Sequence, residues 1–238
     1  MKKVSLSILV LFIALISFSQ RRDVGLWSSV TVEKAWLDGD LKFSGSMNMR
    51  LNENIQNVRS YFPEIGLQIK FWKLFRFGTE YRFRMGQADF GGYTPKHRIA
   101  TYLVLKKKLN PLMASIKVQY QYGTDARIRT PFFQPISDHT LRFKIKIGYD
   151  NWKKIKPYIS NEMFYDFGNH DLGRRFNQYR LNAGIEFRLK KRHYLKLAYV
   201  YNLEINVTNP WREHVASIGY TYQFKKSKRK KKKEESKK

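Results

Sequence analysis

Between Phe176 and Leu189 the chain alternates apolar and polar residues one by one. Asn177, Tyr179, Leu181, Ala183, Ile185, Phe187 and Leu189 form one set, and Gln178, Arg180, Asn182, Gly184, Glu186 and Arg188 form the other. Successive side chains of a strand point to opposite faces, so this period of two predicts a strand between two different solvents. The pattern recurs along most of the chain. It predicts eleven strands: 24–37, 41–51, 61–71, 75–85, 98–106, 112–122, 141–149, 158–167, 176–189, 195–205 and 214–224. Phe75, Phe77, Tyr81, Phe83 and Met85 against Arg76, Gly78, Glu80, Arg82 and Arg84 is an especially clean case.

The connections alternate in length. Short ones fall at 38–40, 72–74, 107–111, 151–156 and 190–193, and longer ones at 52–60, 86–96, 123–138, 168–174 and 206–213. Turns on one side and loops on the other are the signature of a transmembrane antiparallel β-barrel of the bacterial outer membrane. Strands of this length cross a bilayer when tilted. Such barrels have even strand numbers. The sequence therefore leads us to expect about 10–12 strands, with 24–37 outside the wall or a twelfth strand hidden in 123–138.

Composition agrees. Aromatic residues make up 16% of the chain and mean hydropathy is −0.55. A soluble core of this size would need helices or long apolar runs, and none follows residue 18. Met1-Lys2-Lys3, the apolar run Val4 to Phe18 and the small-x-small site Ser17-Phe18-Ser19 read as a cleaved signal peptide. The expected layout is a signal peptide over 1–19, a barrel over 20–224 and a disordered basic tail over 225–238. The tail holds ten Lys or Arg and two Glu, +8 of a formal net charge of +27. Behind a secretion signal it points to anionic headgroups or cell-wall polymer rather than to nucleic acid. There is no cysteine, which excludes disulfides and thiolate metal sites.

The polar face carries the candidate chemistry. Alternation places Arg50, Arg76, Glu80, Arg82, Arg84, Arg142, Glu162, Arg180, Glu186 and Arg188 in the lumen, with further basic residues at 42, 70, 98, 117, 144, 146 and 196. Two readings stand side by side. Charges from neighbouring strands pair and fill a closed structural barrel. Alternatively, the basic excess makes a narrow anion-preferring pore. A lipid-modifying barrel enzyme with a site at the outer rim is the third possibility, and the sequence gives it little support. The five histidines, at 97, 139, 170, 193 and 214, fall at strand ends or in loops. His139 beside Ser137 and Asp138 is the nearest approach to a hydrolytic set, and His170 with Asp166 and Asp171 to a metal set. Neither defines a catalytic residue, a metal site or a cofactor. Phe132 and Phe133 in the longest loop suggest a surface for another protein.

The expected partners are outer-membrane lipids and the barrel-assembly machinery. Trp72, Trp152, Tyr194 and Tyr158 lie beside the short turns, where an aromatic girdle meets lipid headgroups. The last strand, Tyr220-x-Tyr222-x-Phe224, resembles the assembly signal of outer-membrane proteins.

Several short motifs resemble an uncharacterised bacterial outer-membrane barrel family catalogued as domain of unknown function 2490. They are Gly25-Leu26-Trp27, Arg50 at the end of the second strand, Glu64-x-Gly66-Leu67, Phe77-Gly78-Thr79-Glu80-Tyr81-Arg82 and Asn177-Gln178-Tyr179-Arg180-Leu181. The resemblance spans about residues 23 to 224. It implies a barrel and no established activity.

Overall fold

The computed structural model describes residues 22–88, 91–125, 137–152, 154–167, 174–207, 210–225 and 227. The expected signal peptide, almost all of the basic tail, the Phe132–Phe133 surface and the His170–Asp171 pair lie outside the described residues.

Alternation becomes a wall of eleven strands. They are β1 (Arg22–Trp36), β2 (Leu41–Asn52), β3 (Asn57–Lys70), β4 (Phe75–Gln87), β5 (Tyr93–Leu109), β6 (Leu112–Asp125), β7 (Ser137–Tyr149), β8 (Ile155–Asp166), β9 (Arg175–Lys190), β10 (His193–Glu204) and β11 (Arg212–Gln223). Each pairs antiparallel with its neighbour in sequence, and β1 closes the barrel against β11 in parallel. The expectation of an even count is thereby corrected. β1 is a full wall strand, with twelve residues in register from Arg22↔Arg212 to Glu33↔Gln223. An odd count can close only through a parallel pair. As a result, β1 starts at the long-loop end and β11 finishes at the short-turn end.

A parallel ladder is slightly weaker per residue than an antiparallel one, and the seam carries reinforcement at the short-turn end. The Phe224 amide donates to the Glu33 carbonyl at 2.8 Å and the Ser227 amide to the Ala35 carbonyl at 3.0 Å. The Glu33 carboxylate accepts from Gln223 Nε2 at 3.1 Å and from Lys42 Nζ at 2.9 Å. At the opposite end the Asp23 carboxylate accepts from the Glu53 and Asn54 amides at 3.1 and 3.0 Å. It thereby holds the loop after β2, where Glu53, Asn54 and Ile55 all have positive φ.

The outer face is apolar. Val30, Met47, Ile65, Phe77, Ile99, Ile116, Ile145 and Ile159 are all exposed on it. Among the described residues, His97, His139, His193 and His214 repeat one arrangement on this wall. Each lies directly across a strand pair from an aromatic residue: Phe83, Tyr122, Tyr222 and Tyr201 respectively. The ring centroids are 5.0–5.2 Å apart. In each case Nδ1 is 2.6–2.7 Å from the hydroxyl of the tyrosine two residues earlier: Tyr81, Tyr120, Tyr220 and Tyr199. Three of these clusters lie toward the long-loop end and the His193 cluster toward the short-turn end, at the heights where an amphipathic girdle belongs. His139 is therefore a wall residue bonded to Tyr120, and alternation along β7 puts Asp138 on the other face.

Inside, two glycines admit tyrosine rings. Gly78 is opposite Tyr102 and Gly184 is opposite Tyr158. A Cβ at 78 would overlap the Tyr102 ring, and one at 184 would meet the Tyr158 hydroxyl at 2.6 Å. Tyr158 is thus an inward, buried filler and not part of the girdle, whereas Trp72 and Trp152 are well exposed at the turns. Gly78→Ala is expected to expel the Tyr102 ring. With it would go the Gln68–Tyr102 hydrogen bond at 3.4 Å and the contact of Lys117 Nζ with the ring at 3.7 Å. Overpacking of this kind costs about 1–3 kcal/mol. A denaturant titration of the refolded barrel measures it, and an unchanged midpoint would contradict the packing.

Candidate functional site: a basic lumen

Three cavities follow one another down the barrel. The outer one, toward the long-loop end, has a volume of about 530 Å³ and is lined by seven arginines, at positions 50, 59, 82, 84, 98, 142 and 180. Gln121, Thr140, Asn177, Gln178, Asn202, Glu204 and Glu213 supply its other polar groups, and Trp27, Phe164 and Trp211 its rings. The middle cavity, about 330 Å³, is lined by Glu80, Lys117, Gln119, Arg142, Lys144, Lys146 and Glu162, among others. The inner one, about 370 Å³, includes Arg76, Lys106, Lys146, Lys156, Tyr158 and Glu186.

Shared residues join them. Arg142 lines the outer and middle cavities, and Lys146 the middle and inner ones. Arg142, Lys144 and Lys146 are alternate residues of β7, so they stand about 7 Å apart along the wall. Together they make a basic ladder from mid-height toward the short-turn end.

A layer of ion pairs crosses the mid-height. Arg82 Nε donates to Glu64 at 2.6 Å. Glu80 accepts from Lys117 at 3.4 Å and from Gln119 at 3.2 Å. Glu162 binds two guanidiniums, Arg142 at 2.6 Å and Arg180 at 3.2 Å. From there the chain of contacts continues. Arg180 Nε donates to Asn202 at 2.5 Å, Asn202 donates to Glu213 at 2.7 Å, and Arg59 pairs with Glu213 at 3.2 Å. This network links β7, β8, β9, β10, β11 and β3, across the parallel seam. Ring faces support it: Arg180 lies between Trp27 and Phe164 at 5.1 and 4.8 Å, and Arg50 and Arg82 lie over buried Phe62 at 5.2 and 4.1 Å.

The pairing leaves a remainder. Arg50, Arg84 and Arg98 make no ion pair among the described residues. Arg50 rests on the Trp27 ring at 4.2 Å, and Arg98 donates to Gln121 at 3.3 Å. Arg84 Nε is buried with no hydrogen-bond partner.

The residues assigned to the lumen from alternation fall as follows. Arg50, Arg82, Arg84, Arg142 and Arg180 line the outer cavity, Glu80, Arg142 and Glu162 the middle one, and Arg76 and Glu186 the inner one. Arg188 is exposed near the short-turn end and lines none of the three. Arg82 pairs with Glu64, and Glu80 with Lys117.

Alternation misses two residues for the same reason. Arg50 pairs with Ser60 and Leu51 with Val58, so Arg59 is an extra residue in a β-bulge. Phe164 pairs with Gln178 and Tyr165 with Phe176, which makes Asn177 another. A bulge re-aims a side chain. Here both turn a residue of outward parity into the outer cavity, and Asn177 donates to the lumen carboxylate Asp166 at 3.1 Å. The placement of Asn177 on the apolar face is thereby corrected. Glu213 and Trp211 are also new, because the predicted final strand begins only at 214.

The sequence model of a family described as "Protein of unknown function (DUF2490)" matches residues 24–214, most of the barrel. The chain belongs to the DUF2490 family. No curated protein matches it. Among solved structures, this DUF2490 chain is similar to a NanC porin in a rhombohedral crystal form. Identity there is 12% and the TM-score 0.48, over 75% of this chain and 86% of the porin chain. It is also similar to the β domain of the Bordetella autotransporter BrkA, at 13% identity and a TM-score of 0.48, over 81% of this chain and 87% of the other.

Proposed function

We propose that the protein is an outer-membrane barrel whose lumen is a narrow, anion-preferring passage. The long-loop end faces outward and the short turns face the periplasm, in keeping with the usual asymmetry of such barrels. The last strand serves assembly, and the girdle of tyrosine, histidine and tryptophan seats the wall in lipid. The observation that carries the functional reading is the continuity of basic lining. The seven-arginine cavity passes through Arg142 into the β7 ladder, and Lys146 leads on to the inner cavity. In a low-dielectric tube such an arrangement raises the local anion concentration and repels cations. The mid-height ion pairs narrow the path and hold the wall rigid, so only small solutes pass.

Proteoliposome swelling tests this. Small organic anions are expected to enter faster than neutral or cationic solutes of matched size. Replacing Lys144 and Lys146 by Gln is expected to slow the anions selectively. Equal rates for all three charge classes would overturn the proposal.

A further inference from the structure

We propose that the outer cavity is a binding site for a multivalent oxyanion of the phosphate-ester or pyrophosphate class. This rests on the anion-passage reading and adds a ligand class to it. Four of the seven guanidiniums are ion-paired: Arg59 with Glu213, Arg82 with Glu64, and Arg142 and Arg180 with Glu162. The positive charge left without an ion pair among the described residues sits on Arg50, Arg84 and Arg98. A single monovalent ion leaves most of that charge unmatched, whereas one pyrophosphate-sized group matches it at one site.

Geometry points the same way. Guanidinium forks suit the paired oxygens of phosphate better than a spherical halide. Arg84 Nε has no acceptor among the described residues, and turning its guanidinium toward such an oxygen would satisfy it. The two bulges that turn Arg59 and Asn177 inward both serve this cavity. The volume of about 530 Å³ holds a pyrophosphate group together with several waters. Because the Glu64–Arg82 and Glu162 pairs lie beneath, the site is reached from the long-loop end.

The test uses single refolded barrels carrying a chloride current, with pyrophosphate added to one side at a time. Block is expected from the long-loop side at or below about 1 mM, and Arg84→Gln with Arg98→Gln is expected to weaken it about tenfold or more. Lys191→Gln, at the opposite rim, keeps the block and controls for general charge loss. Absence of block, or a block equal from both sides and indifferent to the arginine substitutions, overturns the site. If no chloride current flows, conduction fails while the site is still tested by calorimetry. Pyrophosphate binding that the double variant loses supports it, and absence of binding by the folded wild type overturns it. Heat-modifiable gel mobility establishes folding of each variant, and Arg84→Lys, which keeps the charge and loses the fork, gives an intermediate loss if the fork matters.

Discussion

A cysteine placed at Arg22 is expected to react from outside intact cells with a maleimide too bulky to cross the outer membrane. One placed at Lys225 is expected to react only after lysis. The chain has no cysteine of its own, so each single substitution reports one position. That the two positions lie on opposite sides follows from topology, and that Arg22 is on the outer one follows from the orientation proposed above. Ten antiparallel pairings and one parallel closure leave the start of β1 level with the start of β11, at the long-loop end, while β11 ends opposite Glu33 near the end of β1, at the short-turn end. An even-stranded barrel would put both positions on one side. Asn54→Cys in a long-side loop and Lys107→Cys near a short turn calibrate the two sides. Labelling of Arg22→Cys and Lys225→Cys on the same side would break the eleven-strand closure.

The second large effect is expected at Glu162. Its carboxylate is nearly buried and bridges Arg142 and Arg180, themselves largely covered. Glu162→Gln keeps the shape and removes the charge between two guanidiniums. Breaking a buried pair in this way costs about 3 kcal/mol or more, chiefly through the charges left behind. Denaturant unfolding of the refolded barrel should show that loss. Arg142→Gln in the same background is expected to recover part of it, because one unmatched cation then disappears. Stability equal to wild type would mean that lumen water, and not Glu162, compensates the arginines.

The wall was legible in the sequence because each strand meets lipid on one side and water on the other, and a period of two records that contrast directly. Strand β4 is the clearest example, and the inward residues from Arg76 to Arg84 all follow from it. Closure was not legible. Nothing in the alternation of Val24, Leu26, Val30 and Val32 says whether β1 meets β11 in parallel or stands aside, since parity describes faces and not partners. Bulges were equally hidden. Arg59 and Asn177 have outward parity and reach the lumen only because one extra residue is inserted opposite Arg50–Leu51 and Phe164–Tyr165. Strand β8 departs from the alternation for a different reason. Tyr158 and Phe164 point inward, one against Gly184 and the other beneath Arg142 and Arg180, so its apolar residues fall on both faces.

The reversal potential of the refolded protein in a planar bilayer under a salt gradient tests the charge of the passage most directly. Basic lining from the outer cavity to the inner one predicts discrete openings whose reversal potential lies toward the chloride equilibrium value. It also predicts a shift toward zero when Arg142, Lys144 and Lys146 are replaced by Gln. Openings that favour potassium, or a folded barrel that never conducts, would contradict it.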